Sequence, residues 1–127
     1  MTGRLANASI LPMNITPDII AAAYSYLRVT PPFKSWKLPV ADEVEFGVTK
    51  HHDREADHST YLGTGEHIIR VSAYHIKTSL GLLEAVAHEM VHAHQWRVRK
   101  ETTHSAWFNK TNARVARLHG WPVEVFV

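Results

Sequence analysis

The chain has 127 residues, 45% hydrophobic and 20% charged, which suits one globular domain with a single core and leaves no room for several. It contains no cysteine, so a disulfide framework, a thiolate nucleophile and a cysteine-based metal site are excluded; an intracellular, cytoplasmic location is the expectation. The 14 Lys and Arg against 12 Asp and Glu permit nucleic-acid contact without requiring it, no apolar run approaches the ~18 residues of a membrane span, and ten histidines are the anomaly.

In "ITPDIIAAAYSYLRV", Thr16 is placed as an N-cap and Pro17 as the first helical residue. Ile20, Ala23, Tyr24 and Leu27 then share one face, which predicts a helix over about 17–28. "TPPFKSWKLP" is too rich in proline to be regular and reads as a connector. "EVEFGVT" alternates Val44, Phe46 and Val48 with other residues, as a half-buried strand does. "KHHDREADHS" reads as a polar loop with His51, His52 and His58 solvated. "TYLGTGEHIIRVSA" predicts a hairpin with its turn around Gly63 to Gly65 and a strand through Ile68, Ile69 and Val71.

A long helix follows from near Ser79 to about Arg97 or Arg99, then the linker "KETTH". A last helix is expected from about Ser105 to Leu118, with Phe108, Thr111 or Asn112, Val115 and Leu118 on one face and Gly120 and Pro122 as the stop. "VEVFV" could add a terminal strand. The expected architecture is one α+β domain over 1–127, core about 15–121, with a small, mainly antiparallel sheet of about three strands.

The long helix carries the costly groups. "LLEAVAHEMVHAHQW" holds three histidines and two glutamates in an otherwise apolar run, and His88-Glu89-Met90-Val91-His92 spells HExxH. His88 and His92 fall only ~40° apart on the helical wheel, with Glu89 beside them. Gly81 and Ala85 share that sector and leave it open, while Leu80, Leu83, Ala87, Met90, Val91 and Val98 are expected to pack on the sheet. Two imidazoles one turn apart reach one zinc ion at ~2.0–2.1 Å, and the glutamate stays free to act as general base on a water.

A catalytic zinc takes three protein ligands and keeps one position open. A metzincin arrangement needs Gly at 95 and His at 98, where this chain has Gln95 and Val98. A thermolysin-type site needs a Glu near 112, where Asn112 stands; Glu124 lies beyond the helix, and Glu101 is the nearer carboxylate, in the linker. Peptide deformylases add a cysteine, which is absent. His104 is the better third ligand, twelve residues after His92 at the start of the last helix, where a turn brings it back over the metal.

With His104 in place the sequence resembles the SprT-like (Spartan-type) zinc metallopeptidases, whose HExxH helix is followed by a short linker and a third histidine in an H-G-x-x-F/W type motif. Here those positions read His88-Glu89-Met90-Val91-His92 and His104-Ser105-Ala106-Trp107-Phe108, within about residues 43–119. Ser105 stands where the family usually has glycine, and the expectation is a domain with no C-terminal zinc ribbon. The resemblance implies a zincin-like fold and a Zn2+ ion held by His88, His92 and His104. It further implies hydrolysis of a protein or peptide substrate with Glu89 as general base, on DNA-associated proteins.

The remaining candidates have plainer readings. His94 is expected as a buried, hydrogen-bonded core histidine, and His119 as a residue favoured by the helix dipole at the last C-terminus. His67 and His75 flank a strand, "EHIIRVS", that could pair with an extended substrate, although ordinary exposed positions explain them equally well. Tyr61 and Tyr74 are candidate oxyanion donors, each read first as structural. Arg97, Arg99, Lys100, Lys110, Arg114 and Arg117 form either two solvated helix faces or a phosphate-binding surface. The alternative to an enzyme is a catalytically silent zincin-fold module binding DNA or a protein partner; a metal-stabilised structural protein is a third reading, weakened because four closing ligands without cysteine are scarce.

Overall fold

The computed structural model describes residues 14–49, 67–73 and 76–122 in full and residues 56–60 by backbone. Helix α1 (Pro17–Arg28) starts where its cap dictates: Thr16 Oγ1 accepts from the Ile19 amide at 3.2 Å, and Pro17 needs no hydrogen-bond acceptor at the first turn. Its buried face is Ile20, Ala23, Tyr24 and Leu27, as the spacing predicts. The Tyr24 hydroxyl donates to the Pro39 carbonyl and Arg28 Nε to the Leu38 carbonyl, fastening the connector to α1. That connector is more than a tether. A 3-10 turn at Phe33–Trp36 and the following Leu38 insert Phe33 and Leu38 into the core.

The sheet contains β1 (Val44–Thr49), β2 (Ala56–Thr60) and β3 (His67–Ser72), in the order β1-β3-β2. β3 pairs antiparallel with β2, Ala56 opposite Val71 through Thr60 opposite His67, and parallel with β1, Val44 opposite His67 through Thr49 opposite Ser72. This mixed sheet corrects the mainly antiparallel expectation. After β1 the chain passes to the far edge, forms β2, and returns between the two, so β3 lies parallel to its more distant predecessor. The strand β2 takes the last four residues of the polar stretch expected as loop and the first of the expected hairpin; an edge strand needs no apolar alternation to pair its backbone. The turn around Gly63 to Gly65 and the terminal "VEVFV" lie outside the described residues.

Helix α2 (Ser79–Arg99) is capped by Thr78, whose Oγ1 accepts from the Gly81 amide at 2.9 Å, and ends at Lys100 in the left-handed region at φ 55°, a conformation shared among the described non-glycine residues only by Lys37 at φ 56°. It packs against α1, β2, β3 and helix α3 (Ala106–His119), and so runs through the centre of the domain. The expected apolar back is corrected here. Leu80 and Val98 are 43% and 56% exposed, while Leu82, Ala85, Val86, Ala87, Met90, Val91 and Ala93 are buried around the circumference. A helix enclosed on several sides at its middle and bare at its ends is sorted by position along the axis as well as by angle.

Helix α3 begins at Ser105, whose Oγ accepts from the Phe108 amide at 3.3 Å, and ends at Gly120, which takes φ 75° without a Cβ penalty. Phe108, Asn112, Val115 and Ala116 are buried; Leu118, expected on that face, is 52% exposed in the last turn. No helix among the described residues is long and apolar enough to cross a membrane.

Candidate metal centre

His88 and His92 stand one turn apart on α2, and the turn after α2 brings His104 against both. His104 Nε2 lies 3.2 Å from His88 Nε2 and 3.2 Å from His92 Nε2. The three form a cluster that can hold a metal ion, with ligand atoms all within 4.8 Å of one another. Two nitrogens each ~2.05 Å from a tetrahedral ion stand ~3.3 Å apart, so the spacing fits. One hydrogen on His104 Nε2 cannot make two good hydrogen bonds, whereas a cation takes all three lone pairs.

The tautomer of His92 follows from its neighbour Gln95, a fully buried side chain one turn on. Gln95 Nε2 lies 2.8 Å from the Thr103 carbonyl, which can only accept, so the amide nitrogen faces Thr103 and Oε1 faces His92. His92 Nδ1, 3.1 Å from that oxygen, must therefore carry the hydrogen, and its Nε2 lone pair is left for the cluster. Burial also favours neutral imidazoles. It pushes His88 down to about 3, with the two neighbouring histidines adding to the shift. It lowers His92 as well, against the Gln95 hydrogen bond and with help from His104.

Phe108, fully buried, forms the floor: its ring stacks on His92 at 4.1 Å and lies 5.0 Å from His88 and 4.8 Å from His104. Glu89 sits between the two helical ligands in sequence and is 3% exposed. The rival third ligands are elsewhere engaged. Glu101 is held by Arg99 Nε at 2.9 Å, which keeps its carboxyl below the usual range, and it also takes contacts from Gln95 Nε2 and Ser105 Oγ at 3.4 Å. Asn112, where a thermolysin-type site has its glutamate, is a buried carboxamide of α3; Glu124 lies outside the described residues.

The other histidines serve differently. His94 stacks flat on Trp36, 4.0 Å between centroids and 3° between planes, and leans on Trp107 at 6.0 Å. Among the described residues its buried Nδ1 has no hydrogen-bond partner, which corrects the expectation of a bonded core histidine; burial, then the nearby Arg97, lowers its pKa. His119 uses Nε2 to reach the Pro31 carbonyl at 2.9 Å and Thr30 Oγ1 at 3.3 Å, and stacks on Trp121 at 4.6 Å. It fastens the end of α3 to the segment after α1, and Gly120 makes the cap. His67 is buried in β3, where burial and then Arg97 lower its pKa. His51, His52, His75, Tyr61, Tyr74 and the side chain of His58 lie outside the described residues.

One further expectation changes. The strand proposed to receive a substrate is β3, which is already paired on both sides and has no edge to offer. Within the basic group, Arg97 Nη1 donates to the Trp36 and Lys37 carbonyls at 3.1 and 2.7 Å, Arg99 lies over Trp107 at 5.7 Å, and Lys100 over Trp96 at 5.5 Å. Lys110, Arg114 and Arg117 are exposed on α3. The ligand spacing does not single out Gln95; the available signal is a carboxamide within an otherwise apolar helical run, three residues after a candidate ligand.

The chain matches no protein-family model, no curated protein and no solved structure in the comparisons made. The site therefore rests on its own geometry.

Proposed function

We propose that the chain is a zinc-dependent metallopeptidase with a SprT-like, zincin-type site. The observation that carries this reading is the convergence of three Nε2 atoms at one point, two of them from the histidines of an HExxH helix whose glutamate, Glu89, is buried. His88, His92 and His104 would hold the metal, and three neutral imidazoles without thiolate are a donor set that suits zinc. When bound, zinc polarises a carbonyl oxygen and acidifies water. Glu89 accepts the proton of the attacking water on its carboxylate and delivers it to the leaving amine nitrogen. Phe108 and the α2 core keep the three rings in place and exclude water from behind them.

An extended substrate would add to β2 rather than β3. β2 is an edge strand packed against α2, whereas the other edge strand, β1, packs against α1. The exposed Lys110, Arg114 and Arg117 on α3 favour substrates associated with DNA, and they equally serve the alternative of a silent module that binds DNA or a protein partner.

Glu89→Gln separates the readings. The enzyme reading predicts that the variant keeps its zinc and loses about 10²- to 10⁴-fold in cleavage of an unfolded protein substrate. A parent that holds zinc but cleaves no protein with or without DNA, together with DNA affinity unchanged by Glu89→Gln, would establish the silent module instead.

A further inference from the structure

One carboxamide contacts both a helical ligand of the metal cluster and the turn that carries His104. Gln95 Oε1 receives the Nδ1 hydrogen of His92 at 3.1 Å, and Gln95 Nε2 donates to the carbonyl of Thr103, the residue before His104, at 2.8 Å. The same nitrogen reaches Ser105 Oγ and Glu101 Oε1, each at 3.4 Å, on the two sides of that turn. Ser105 in turn caps α3, and Glu101 is pinned by Arg99. The turn from Glu101 to Ser105 is exposed or half-exposed and carries a ligand that is itself exposed, so little hydrophobic burial holds it. Gln95 is fully buried and aims every polar atom of its carboxamide at this arrangement.

We infer that Gln95 is a positioning residue for the metal centre, fixing the tautomer of His92 and the turn that presents His104. The inference rests on the metal reading above and deepens it with a residue that touches neither metal nor substrate. It also gives Ser105 a role that a glycine could not take, because only a side-chain oxygen at that position joins Gln95 and Glu101 to the cap of α3.

The test uses the ¹⁵N-labelled full chain as parent, Gln95→Leu and Gln95→Glu. Two quantities are read: the His92 tautomer, from long-range ¹H–¹⁵N spectra of metal-free protein, and zinc affinity, from competition with a chromophoric chelator. Leucine neither accepts nor donates, so His92 should lose its fixed Nδ1–H form and zinc affinity should fall by about 10- to 100-fold. Glutamate keeps the acceptor for His92 but loses the N–H donors to Thr103, so the tautomer should hold while zinc binds more weakly than to the parent. An unchanged His92 tautomer in Gln95→Leu, or zinc affinity within about threefold of the parent, overturns the inference. If Gln95→Leu does not fold, Gln95→Glu decides alone: a lost tautomer or an undiminished affinity overturns it. A parent that binds no zinc sinks the metal reading by itself, and the tautomer of the metal-free proteins then still decides the role of Gln95.

Discussion

Two groups of histidines in this molecule are similarly placed and are used in opposite ways. His88, His92 and His104 turn nitrogens toward one point, the first two each 3.2 Å from His104 Nε2, over the ring of Phe108. His94 and His119 turn ring faces toward tryptophans, at 4.0 and 4.6 Å, and act as flat aromatic bodies. His92 and His94 are two residues apart on one helix, and burial lowers the pKa of both. Burial and a depressed pKa therefore do not make a ligand. The difference lies at the second nitrogen: His92 Nδ1 is bonded to Gln95, which aims the other lone pair, whereas His94 Nδ1 is buried with no partner among the described residues.

The contrast predicts that the tryptophan-facing histidines can be replaced without touching the metal. His119→Ala has the larger expected effect. It removes the bond to Pro31 and the stack on Trp121, so denaturant unfolding should show a loss of about 1–2 kcal/mol with zinc affinity unchanged. A fall in zinc affinity without a fall in stability would break the comparison. His94→Phe has the smaller effect, and in the other direction. Phenylalanine keeps a flat ring on Trp36 and deletes the unpartnered buried nitrogen, so stability should be unchanged or raised by about 1 kcal/mol. Marked destabilisation would show that His94 makes a polar contact the packing does not reveal.

What was legible in the sequence follows the same division. The bounds of α1 could be read because Thr16 and Pro17 fix its start and four apolar residues share its face. The ligand positions could be read because i, i+4 spacing on a helix places two imidazoles together whatever the surrounding fold, and His104 needed only one turn to join them. The strand order was not readable. Parallel pairing of β1 with β3 depends on where β2 docks, and β2 is a polar edge strand with no alternating pattern to announce it. The burial of α2 is not readable either, because apolar spacing predicts a single stripe and neighbours enclose this helix on several sides. The role of Gln95 is not readable because it lies in a contact with Thr103, across a turn whose path the sequence does not specify.

The most direct test of the central claim is the metal content of protein purified without added metal and without a histidine tag, measured beside His104→Ala. The account predicts about one zinc per chain in the parent, lost or greatly weakened in the variant. A parent that carries no metal and takes up none on titration with zinc, or a variant that holds zinc as well as the parent, would contradict it.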